Sequence, residues 1–68
     1  MTPADVERRV QKITKTAEGG DDESAHCDED ALHMAVLKAI AKGKATDPVE
    51  CARIALTTTT IQFARWYA

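Results

Sequence analysis

Val6, Val10, Ile13 and Ala17 recur at intervals of three and four residues, with Glu7, Arg8, Arg9, Gln11, Lys12 and Lys15 between them. That spacing draws one narrow apolar stripe along an α-helix. The start signal agrees. Thr2 can cap, Pro3 suits the first helical position, and Asp5 lies where a capping-box acid reaches back. Gly19-Gly20 ends the pattern, so a helix is expected over about 3–17.

A second helix is expected over about 22–42. Asp21 or Asp22 caps it, acids crowd its first turns, and Lys38 and Lys42 lie near its end. That order complements the helix dipole, and Gly43 fits the left-handed stop position. Around the axis, Asp22, His26, Glu29 and His33 share an arc of about 60°. The same arc continues as Val36, Leu37 and Ile40, so the expected core stripe turns polar in its upper half.

The third helix has the clearest start: Asp47 caps, Pro48 takes the first position and Glu50 reaches back. Val49, Ala52, Leu56, Phe63 and Tyr67 fall on one side, and Ile54 and Ile61 nearly opposite. Thr57-Thr58-Thr59-Thr60 is a run of β-branched, poor helix formers. We expect a helix over about 48–57, a break or kink in the threonines, and a short helix over about 60–66. A strand at 56–63 would have no strand to pair with. Were the helix instead continuous, Ile54 and Ile61 would form a second apolar stripe free for a partner.

Short connections between consecutive helices imply antiparallel packing. The expected fold is all-α: one domain over 1–68, a small three-helix bundle with a short fourth C-terminal helix, closed at one end by Trp66 and Tyr67. The chain has 68 residues, and much of its 44% apolar content is alanine. A single core of this size supplies only about 3–5 kcal/mol. Self-association is therefore a natural source of further stability.

The net charge of −2 lacks the basic footprint of a nucleic-acid binder, so nucleic acid is not the expected partner. The apolar stretches fall far short of the roughly 20 residues a membrane span needs, so neither is a membrane. Cys27 and Cys51 lack metal or redox spacing. With no signal peptide read at the start, both are expected reduced in a cytoplasmic protein. Cys51 reads as a small packing residue, and Cys27 as a thiol blunted by the acids around it.

Site chemistry can be argued for one stretch, Asp21 to His33. It holds six of the eleven acids and both histidines. His26, Glu29 and His33, with Asp22 or a water as fourth ligand, could present a divalent-metal site for zinc, iron or manganese. The simpler reading, which we favour, is that the helix overshoots the bundle and its solvated acids serve the dipole. His33 then reads as a partly buried histidine bonded to an acid or a carbonyl. No HExxH pattern, nucleophile elbow or phosphate-binding glycine loop is present, so no catalytic residue is assigned. Arg8, Arg9, Lys12 and Lys15 are expected to face the acids of the second helix in part and solvent otherwise.

Several runs carry a resemblance. They are Asp21-Asp22-Glu23-Ser24-Ala25-His26, Glu29-Asp30-Ala31-Leu32, Val36 to Gly43, Ala55-Leu56-Thr57 and Phe63-Ala64-Arg65-Trp66-Tyr67-Ala68. Together they resemble small bacteriophage- and prophage-encoded helical proteins of the actinobacterial type, for which no activity is established. The resemblance covers about residues 21–68, and the four-threonine run departs from it. It implies a context, an infected or lysogenic host cell, and no site residue. The leading expectation is thus a non-enzymatic interaction protein that binds itself or a host protein. Ile54, Ile61, Phe63, Trp66 and Tyr67 would be its apolar anchor, and the acidic stretch its steering surface. The alternatives are a metal-binding protein using Asp22, His26, Glu29 and His33, and a weak nucleic-acid-binding dimer.

Overall fold

The computed structural model of the chain describes residues 1–65. It is a small all-α three-helix bundle. Helix α1 spans Pro3–Glu18, α2 Asp22–Ala41 and α3 Pro48–Leu56, and a 3₁₀ turn follows at Thr57–Thr60.

Local chemistry sets these limits. At the start of α1 the Thr2 hydroxyl accepts from the Asp5 backbone N–H at 3.2 Å. The Asp5 carboxylate accepts from the Thr2 N–H at 2.8 Å, which completes a capping box. That backbone bond from Thr2 is the main reason the Asp5 carboxyl lies below its ordinary value. Helices α1 and α2 end alike. Gly20 (φ 85°) donates to the Ala17 carbonyl and Asp21 to that of Thr16. Gly43 (φ 69°) donates to Ile40 and Lys44 to Ala39. Each is a Schellman stop, and its left-handed residue costs a Cβ-bearing side chain energy. Asp47 begins α3 with φ 52°, and its carboxylate accepts from the Glu50 N–H at 3.4 Å. Aspartate is among the few non-glycine residues that tolerate this conformation. The backbone of Met1 is fastened to the α2–α3 loop, where its carbonyl accepts from the Thr46 N–H at 2.8 Å.

At the threonines α3 gives way to the tighter 3₁₀ turn. Each hydroxyl from Thr57 to Thr60 donates to the carbonyl three residues earlier, over 2.6–3.0 Å. A side-chain bond to the i−3 carbonyl favours the tighter 3₁₀ geometry. The chain then turns extended at Ile61 (ψ 131°), and residues 61–65 carry no helix. The expected short helix over about 60–66 is corrected to this extent: its hydroxyl-bonded start belongs to the 3₁₀ turn. Trp66 and Tyr67, expected to close the core, lie outside the described residues.

The core gathers Val6, Val10 and Ile13 from α1 with Ala25, Leu32 and Val36 from α2 and Cys51, Ile54 and Ala55 from α3. Met1, Ala17, Ile61 and Phe63 pack partly buried against it. The α1 stripe is the one read from the sequence. The other two helices are rotated from expectation. On α2 the buried residues are Ala25, His26, Glu29, Leu32 and Val36, leaving Leu37 and Ile40 exposed. On α3 the buried residues are Cys51, Ile54 and Ala55, while Val49 and Leu56 face outward. Ile54 is 7% exposed and cannot serve as a spare surface stripe. Small residues explain the rotation. Cys51 and Ala55 let α3 sit close to its neighbours, where larger side chains would hold it away.

Candidate functional site

One face of the polar half of α2 is packed and does not overshoot the bundle, while Asp21, Glu23 and Asp30 remain exposed as the solvated acids expected there. Ala25, His26 and Glu29 are all buried. Glu29 receives a forked contact from Arg65, with Nε at 2.8 Å from one carboxylate oxygen and Nη2 at 3.1 Å from the other. Burial pushes the Glu29 carboxyl upward, but the Arg65 hydrogen bonds and charge, joined by the Thr58 hydroxyl and His33, together outweigh it, and the group lies below its ordinary value. Arg65 also donates to the carbonyls of Thr58, Ile61 and Phe63 and lies 3.8 Å over the Phe63 ring. One guanidinium therefore clasps the segment after the 3₁₀ turn onto the middle of α2.

Beside this clasp, His33 Nε2 lies 3.1 Å from the Ala55 carbonyl and 2.9 Å from the Thr58 hydroxyl. A carbonyl only accepts, so Nε2 carries the hydrogen here. Thr58 is fully buried, and its hydroxyl donates in turn to Ala55. His26 Nε2 stands 3.3 Å from the Asp30 carboxylate.

The expected metal set is not assembled. Asp22, His26, Glu29 and His33 share a helix face, as the spacing required, but the end of α3 and the segment after it engage Glu29 and His33. Arg65 takes both Glu29 oxygens, and Ala55 and Thr58 take the His33 nitrogen. Among the described residues no group of three or more ligating side chains is placed to hold an ion. Of the basic residues of α1, Arg8 pairs with Asp5 on its own helix, and Lys12 reaches Asp28 across on α2 at 3.9 Å, as expected in part. Cys51 is fully buried, its thiol donating to the Thr46 carbonyl at 3.3 Å, while Cys27 is exposed.

The rotation of α2 and α3 creates a second feature. Between the two helices runs a groove of about 260 Å³ lined by His33, Val36, Leu37, Ala52, Ala55 and Leu56. Leu37 and Leu56 on its walls are 63% and 61% exposed, and Met34, Ile40 and Val49 are also exposed. Of the expected interaction residues, Ile54 is core, and Ile61 and Phe63 are partly buried against the core. The residues that sequence reasoning missed are Leu37 and Leu56 on the surface, the half-buried Arg65 and the buried Thr58. A carboxylate on a buried stripe needs a cation, and that requirement was the one available signal for Arg65.

No family model, curated protein or solved structure matches the chain. Among the described residues no helix is long and apolar enough to cross a membrane.

Proposed function

We propose that this is a small non-enzymatic helical protein that acts by binding protein chains, with the α2–α3 groove as its contact surface. The supporting observation is that Leu37 and Leu56, which line the groove, are largely exposed, with Met34, Ile40 and Val49 exposed as well, on a chain with so small a core. Large apolar side chains gathered around a groove are the feature of a surface that is covered in use. The acids of early α2 add a charged border that speeds and orients encounter. The cytoplasm of a phage-infected or lysogenic cell is the setting suggested by the resemblance of the residue runs.

The test compares tagged wild-type protein with Leu37→Asp/Leu56→Asp, after far-UV circular dichroism has shown equal helix content. Both positions are exposed, so the fold is expected to survive. Chains captured by the wild type, including untagged copies of itself, should be lost from the double variant. An identical set of captured chains would refute the groove as the contact surface.

A further inference from the structure

We infer that the occupant of this surface is a second copy of the same chain, docked with its α2 antiparallel to the first. The inference rests on the groove reading above and adds the identity and direction of the partner. Two observations carry it.

The first is the outward line of α2. Glu23, Cys27, Asp30, Met34, Leu37 and Ala41 follow one another in steps of four and three, and all six are exposed. Such steps keep side chains along one edge of a helix, the geometry of a helix–helix seam. Met34 and Leu37 stand at the middle of this edge, and Leu37 also forms a wall of the groove.

The second is charge. Residues 21–30 carry six acids and no lysine or arginine, and residues 38–44 carry three lysines and no acid. A parallel pair of α2 helices would set acids against acids. An antiparallel pair sets each acidic end against a basic one, which is self-complementary about a two-fold axis. With the axis at Met34, Met34 meets Met34 of the partner subunit, and Asp30 faces Lys38 of the partner subunit. Cys27 faces Ala41 of the partner subunit, and Leu37 lies over Ala31 of the partner subunit, a side chain short enough to admit it.

Sedimentation equilibrium of the full chain from about 1 µM to about 1 mM tests this. The mass should rise from 7.4 kDa toward twice that value. Asp30→Lys and Lys38→Asp should each weaken dimerisation about tenfold, and the double reversal should restore it. Lys38→Asp leaves the His26–Asp30 contact in place, so its effect reports on the interface and not on that contact. A single 7.4 kDa species over the whole range overturns the second copy as occupant. So do charge reversals without effect on the association, or a double reversal no better than the singles. If the chain stays monomeric but Leu37→Asp/Leu56→Asp still abolishes capture of another protein, this inference fails and the proposed function stands. If neither association nor capture responds, both fall.

Discussion

Arg65→Ala removes the cation that neutralises Glu29, and its cost can be bracketed from the geometry. The Glu29 side chain is 6% exposed and that of Arg65 is 34%. Breaking a fully buried ion pair costs about 3–5 kcal/mol, because the remaining charge stays buried, whereas an exposed pair is worth about 0–1 kcal/mol. One partner here is buried and the other is a third open to water, which places the loss near 2 kcal/mol at neutral pH. A chain of this size holds about 3–5 kcal/mol in all, so roughly half its stability goes. Tm should fall by roughly 10 °C.

The pH dependence separates this cause from the loss of the carbonyl contacts. In the wild type the Glu29 carboxyl is held below its ordinary 4.5. A carboxyl depressed in the folded state stabilises above its unfolded pKa, and that stability fades as pH falls through the folded value. In Arg65→Ala only the Thr58 hydroxyl and His33 are left to oppose burial, so the folded pKa rises relative to the wild type. The stability that the ionised carboxylate contributes at neutral pH shrinks with that rise. The gap between wild type and variant should therefore be large near pH 7 and shrink toward about pH 4. Urea unfolding followed by far-UV circular dichroism at both pH values measures it. Glu29→Gln, which keeps Arg65 on its carbonyls, should lose less and flatten the acid limb. A gap that does not change with pH, or an unaltered Arg65→Ala midpoint, would refute the clasp as the cause.

Leu32→Ala opens a cavity at a fully buried site and should cost about 2–5 kcal/mol, enough to leave much of the protein unfolded at room temperature. A near wild-type thermal transition would contradict its place in the core. Thr58→Val keeps the shape but strips the hydroxyl shared by Ala55 and His33, with an expected loss of about 1–2 kcal/mol by urea unfolding. Thr59→Val at the exposed neighbour should change stability by no more than about 0.5 kcal/mol, and equal effects at the two sites would undo the distinction. Asp47→Ala removes a helix cap and puts a methyl side chain at φ 52°, which should cost about 1–2 kcal/mol, while Asp47→Asn should be nearly neutral. Paired thermal melts decide it.

The sequence by itself determined where the three α-helices begin and where α1 and α2 end, to within about a residue. Caps and stops act within four or five residues, so Thr2, Asp47-Pro48, Gly20 and Gly43 speak for themselves. It also determined the α1 face, because Val6, Val10 and Ile13 have no apolar rival on that helix. It did not determine the faces of α2 and α3, where each helix offers two apolar sides. The larger side chains, Leu37, Ile40, Val49 and Leu56, suggested the core, yet Ala25, Cys51 and Ala55 occupy it. That choice depends on how closely three helices can approach, a property of the assembled bundle and not of any one stripe. The polar cluster was hidden for the same reason. Glu29 and Arg65 are 36 positions apart and His33 and Thr58 are 25 apart. Helical spacing could align Asp22, His26, Glu29 and His33 on one face, but only tertiary packing brought a guanidinium and a hydroxyl to that face. A carboxylate and an imidazole that looked free to bind an ion are held instead by the chain itself.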